Sequence, residues 1–99
     1  MPLIERNIDG IKRLCSMHAV TQLSVFGSVL TDKFNGSSDI DFLVSFGAMP
    51  IEDYADNYLQ LSMALGELLG REIDLVEEKA IRNPVFRNNV DRTKVQIYG

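Results

Sequence analysis

The stretch Val20–Phe46, "VTQLSVFGSVLTDKFNGSSDIDFLVSF", decides how the chain is read. Its first seven residues, Val20 to Phe26, are short, β-branched and aromatic, which predicts a strand. Gly27 closes that strand. "SVLTDKF" is long enough for about two helical turns, with Ser28 as its cap. Asn35 to Ser38, "NGSS", is a turn cluster. Asp39 to Phe46 then predicts a second strand with two unlike faces. Ile40, Phe42, Val44 and Phe46 point one way; Asp39, Asp41, Leu43 and Ser45 point the other.

Reading outward, Ile4, Ile8, Ile11 and Leu14 recur at helical spacing and predict an amphipathic helix over about residues 3–18. Beyond the break "GAMP", the stripe Ile51, Tyr54, Tyr58, Leu61, Leu65, Leu68 and Leu69 predicts a long helix ended by Gly70. "REIDLVE", Arg71 to Glu77, is a third strand. The tail holds a short helix after Pro84 and an extended end. Strands alternate with helices, so the fold class is α/β, with helices packed on a sheet.

The 99 residues predict one domain spanning 1–99, with a modest core. The net charge of −4 argues against broad nucleic-acid binding, which usually needs a basic face, but leaves nucleotides open. No run approaches the roughly 20 apolar residues of a membrane span. "MPLIERNIDG" lacks an apolar signal core, and the one cysteine, Cys15, excludes an internal disulfide; both point to the cytoplasm. His18 and Cys15 read as structural residues. Lys33, Arg82, Arg87, Arg92 and Lys94 read as surface charge, with Arg87 the one tail cation that could reach a phosphate.

The chemistry concentrates in the opening stretch. Asp39 and Asp41 leave one face of a strand, where two carboxylates repel unless a divalent cation lies between them. Hard oxygen ligands suit magnesium or manganese. Gly27 allows close backbone approach, the turn after it aims N–H groups outward, and Ser28 adds a hydroxyl; together they predict a phosphate cradle. Asp74, flanked by Ile73 and Leu75 on the opposite face, is the candidate third carboxylate. It would complete a metal site or accept the proton of an attacking hydroxyl.

"FGSVLTDKFNGSSDIDFLV", with Gly-Ser, ten residues and Asp-x-Asp, resembles the signature of the DNA polymerase β-like nucleotidyltransferases. The short chain, the "RNPVFRNNV" tail and the terminal "IYG" resemble its minimal nucleotidyltransferases, the MNT group. The resemblance implies a mixed sheet with helices on one side. It also implies metal-dependent transfer of a nucleoside monophosphate from an NTP, with AMP from ATP as the expected case. Asp39, Asp41 and Asp74 would be catalytic and metal-binding, and Gly27, Ser28 and Lys33 would bind the nucleotide. Many relatives carry Arg-Gly shortly after Gly-Ser, where this chain reads "TDKF"; Lys33 is expected to replace part of that cation. Many MNT members are encoded beside HEPN-domain toxins and place AMP on a toxin tyrosine, so a HEPN toxin is the implied partner, with oligomer formation open. The alternatives are an antitoxin that neutralises by contact alone, and a small-molecule nucleotidyltransferase.

Overall fold

A sheet of four strands carries the molecule, in the order β3-β2-β1-β4. The computed structural model describes all 99 residues. The strands are β1 (Val20–Phe26), β2 (Ile40–Phe46), β3 (Ile73–Glu77) and β4 (Val95–Tyr98). β1 runs antiparallel to both β2 and β4, whereas β2 and β3 are parallel. A parallel pair needs a crossover. The helix Ile51–Leu69 supplies it and ends at Gly70, whose φ of 65° is the left-handed conformation that glycine tolerates best.

The alternating faces predicted for β2 are present. Ile40, Phe42 and Val44 are fully buried, and with Leu23 and Val25 of β1 they form the floor of the main core. Ile4, Ile11, Cys15, Leu61 and Leu65 close that core from the helical side. Burial pushes the Cys15 thiol up to about 11, so the group is a small apolar core residue, as its sequence context suggested. His18 caps a helix and bonds to Asn57 through both its ring and its carbonyl, a structural role.

Four local expectations change. The helix predicted over residues 3–18 is two helices, α1 (Pro2–Arg6) and α2 (Ile8–Met17). They part at Asn7, whose side-chain amide donates to the Leu3 carbonyl at 2.8 Å and so competes with the backbone ladder. In the crossover helix, α3, only Leu61, Leu65 and Leu69 of the predicted stripe are buried; Ile51 is 85% exposed at its first position. The expected two helical turns after Gly27 reduce to one 3₁₀ turn, Gly27–Leu30. Side chains take over the backbone bonding there: Thr31 Oγ1 donates to Ser28 O and accepts from Lys33 N, and Asn35 Oδ1 accepts from Ser37 N.

The fourth change concerns the helices' sides. The tail helix, α4 (Pro84–Thr93), is capped by Asn83, whose Oδ1 accepts from Val85 N and Phe86 N, with Pro84 at the favoured first position. β3 and β4 lie at opposite edges of the sheet, so the chain must cross it between them. It crosses on the face away from α1–α3. Val90 packs there with Phe26 and Leu43, and Phe86 meets Phe26 edge to face at 5.9 Å. Helices therefore lie on both faces, not one. No helix is long and apolar enough to cross a membrane.

Candidate active site

The face that α4 partly covers is the one that carries the carboxylates. In the parallel β2–β3 ladder, Asp41 stands directly opposite Asp74. Two strands separated by a 19-residue helix thus bring two acids to one register position. The Asp41 carboxyl is pushed up to about 6, first by desolvation, then by the charge of Asp74, a hydrogen bond to Asp74 and the charge of Asp39. Asp41 therefore feels both of the other carboxylates at the strand ends. Asp39 sits one residue before β2 begins. No three of the chain's acids, histidines or cysteines close on one point as a ready-made ligand set; Asp41 and Asp74 face each other across the ladder.

Gly27 is tied to Asp41 directly. Phe26, the residue before it, pairs with Asp41 across the β1–β2 ladder. Gly27 has φ +78°, and a Cβ built on it would run into the Asp41 carboxylate. Glycine is required twice over, for the backbone conformation and for room beside the acid. The turn thus lies against the aspartate, as the spacing of the two motifs suggested.

Beside this turn is a cleft of about 560 Å³ lined by Gly27, Ser28, Leu30, Thr31, Lys33 and Thr93. All three residues predicted to hold a nucleotide line it. Lys33 makes no ion pair with any acid, so its charge is unspent. Ser28 uses its carbonyl within the turn, where Thr31 N donates to it at 2.9 Å. Arg87, by contrast, is spent. It donates to Glu78 Oε1 and Glu78 O and pairs with Asp91, tying α4 to the 3₁₀ turn after β3, and so does not serve as a phosphate ligand.

Sequence reading missed three contributors. Thr31 and Thr93 border the cleft, and Thr93 comes from the far end of the chain. Arg71 is the third. Its Nη1 donates to Asn35 O at 2.7 Å and Ser38 O at 3.0 Å, and its guanidinium lies 4.4 Å from the Phe34 ring centroid. It thereby fixes the loop between Lys33 and Asp39 from the turn that precedes β3. Nothing in the local sequence around Arg71 signals this, because its partners are backbone carbonyls 33 and 36 residues earlier.

On the other face, Tyr58 donates to the Leu75 carbonyl and Tyr54 to Glu77, which braces α3 against the part of β3 that follows Asp74. Burial raises both phenols first; for Tyr54 the Glu77 hydrogen bond adds to it, and for Tyr58 the charge of Asp74.

Comparison with known proteins agrees with this architecture. The model of the family described as "Nucleotidyltransferase domain" matches residues 9–96. A candidate protein adenylyltransferase of Methanocaldococcus jannaschii is 33% identical over 86 residues, 87% of this chain and 85% of the relative. A second candidate protein adenylyltransferase of that organism is 31% identical over 96 residues, covering 92% and 98%. Among solved structures, a candidate minimal nucleotidyltransferase superposes with a TM-score of 0.76 at 29% identity, covering 93% of this chain and 90% of that one. A tri-AMPylated Shewanella oneidensis HEPN toxin in complex with its MNT antitoxin gives a TM-score of 0.67 at 21% identity, covering 96% and 71%, a likeness of fold.

Proposed function

This chain belongs to the nucleotidyltransferase domain family, and from that premise we propose that it transfers AMP from ATP to a tyrosine hydroxyl of a cognate HEPN-domain toxin, as that toxin's antitoxin. The observation that carries the reading is the placement of Asp41 opposite Asp74, against the Gly27 turn and beside a cleft lined by Ser28 and Lys33. The protein acceptor is supported by the protein adenylyltransferases among its relatives, and the toxin by the complexes that share its fold.

The donor set suits a divalent cation. Asp41 and Asp74 are adjacent oxygen donors; burial first, and then the charges of Asp74 and Asp39, raise the Asp41 carboxyl to about 6. Asp39 and Asp41, with Asp74 beside them, would hold magnesium or manganese. Such an ion, when bound, neutralises charge on the phosphates and on the attacking and leaving oxygens.

The chain's own residues then have defined tasks. The Gly27–Ser28 backbone and the Ser28 hydroxyl bind phosphate oxygens, and Lys33 offsets their charge. The tyrosine oxygen attacks the α-phosphorus. The bond from that phosphorus to the bridging oxygen breaks, and pyrophosphate leaves with its electron pair. Asp74 accepts the tyrosine proton, being the most exposed carboxylate of the adjacent pair.

The test is intact-mass analysis of a cognate HEPN toxin, sought among the gene's neighbours, after incubation with ATP and magnesium. The expected result is the added mass of AMP, absent in EDTA. A toxin that is neutralised yet unmodified would replace this reading with neutralisation by contact.

A further inference from the structure

β3 is an edge strand: β2 lies on one side of it and no strand on the other. The ladder shows which of its backbone groups face outward. Ile40 N donates to Glu72 O at 3.0 Å, and Ile40 and Asp41 stand opposite Ile73 and Asp74. In a strand the N–H and C=O of one residue point to the same side, and successive residues alternate. Glu72, Asp74 and Val76 therefore turn their backbone groups toward β2, and Ile73, Leu75 and Glu77 turn theirs outward. Consistently, the hydroxyl of Tyr58, which comes from α3, reaches the Leu75 carbonyl. The outward N–H groups of Ile73, Leu75 and Glu77 have no ladder partner. The sheet's other edge, β4, is two strands removed from the nearer acid, Asp41.

We propose that the acceptor protein docks by adding an extended segment to the free edge of β3, with its tyrosine opposite Asp74; the proposal rests on the nucleotidyl-transfer reading above. Directly opposed residues of neighbouring strands share a face, with Cβ atoms about 4.5–5.5 Å apart. A tyrosine opposite Asp74 thus stands beside the carboxylate that is to take its proton, on the side away from Asp41 and the Gly27 turn. Across the sheet the order becomes acceptor, Asp74, Asp41, phosphate cleft, so the acceptor and the nucleotide do not compete for space. Main-chain bonds along such an edge give affinity, and alternate side chains give specificity. Glu72, one residue before β3, shares the Asp74 face, is exposed and pairs with no base. The acceptor residue two positions from the tyrosine lies opposite Glu72, which favours lysine or arginine there. The next acids along the chain are already paired, Glu77 with Lys79 and Glu78 with Arg87.

The test is amide hydrogen exchange on the whole chain, with magnesium, a non-hydrolysable ATP analogue and a short synthetic peptide as probe. The peptide carries a central tyrosine, a lysine two positions to either side, and valine or threonine between them. Its binding should slow exchange at the Ile73, Leu75 and Glu77 amides by about ten-fold or more. The Asp74 and Val76 amides, which already face β2, should change little. Methylating the backbone nitrogens on the pairing edge of the peptide should abolish the protection while leaving the protein untouched. Glu72→Lys, at an exposed position outside the core, should weaken the peptide about five-fold. No binding, binding that leaves the outward amides unprotected, or equal protection by the methylated peptide would overturn docking at the edge, even where the toxin gains AMP. Alternating protection with no AMP passed from ATP to peptide or toxin would instead overturn the nucleotidyl-transfer reading and leave the edge site standing.

Discussion

Replacing Gly27 by alanine should damage the site by a route that can be separated from ordinary destabilisation. Two costs arise at this position. An L-residue held in the left-handed region costs about 1–2 kcal/mol, and Gly27 has φ +78°. The new Cβ also collides with the Asp41 carboxylate, and the backbone on both sides is fixed by the Phe26–Asp41 pairing. The carboxylate must therefore swing out of its preferred rotamer, at about 0.5–1.5 kcal/mol. Together these predict a loss of about 1.5–3.5 kcal/mol of stability. For a domain of this size, that lowers Tm by roughly 6–28 °C. The assay is a denaturation cycle. In an Asp41→Ala background the collision disappears, so Gly27→Ala should cost only the backbone share, about 1–2 kcal/mol. In the Asp41 background, the displaced carboxylate should also weaken magnesium-dependent ATP binding by about ten-fold, equivalent to about 1.4 kcal/mol. An equal stability cost in the two backgrounds, or unchanged ATP affinity in the folded variant, would refute the steric link between turn and acid.

Three further outcomes are expected. In EDTA, a raised Asp41 pKa means that folding favours its protonated form; the resulting stability is fully present below the unfolded value near 3.8 and is lost as pH rises through about 6. Asp41→Asn should flatten that part of a pH–Tm profile, and a profile identical to the parent's would count against the coupled acids. Ser28→Ala should weaken ATP by roughly 1 kcal/mol, or more if the phosphate bond is charge-assisted, while leaving the fold intact; unfolding would show Ser28 to be a structural residue. Asp74→Asn should retain nearly normal ATP affinity but abolish AMP addition to the toxin, and substantial AMP addition at the parent's rate would remove Asp74 from the proton-accepting role.

What sequence could deliver depended on how local each cause was. The β2 faces, the ending of α3 at Gly70 and the short helix at Pro84 follow from neighbouring residues, and all are present. The Gly-Ser and Asp-x-Asp motifs were legible because their spacing places both at one end of a strand pair, and Asp74 because its apolar flanks turn it to the opposite face. The 3₁₀ turn was not legible: the side chains of Thr31 and Asn35 make competing bonds that helical spacing cannot weigh. Nor was the side on which α4 lies, which follows from β3 and β4 occupying opposite edges. Arg71 and Thr93 join the site through contacts distant in sequence, where periodicity carries no information.

The pairing of Asp41 with Asp74 makes the site sensitive to parity. Successive strand residues alternate faces, so shifting β3 by one position against β2 would present Ile73 or Leu75 to Asp41 and send Asp74 into the core beneath α3. A shift of two would restore the face but displace the acid by about 6.6 Å along the strand, beyond reach of its partner. A one-residue shift would therefore break the core as well as the pairing of the acids, so packing and chemistry demand the same register of β3.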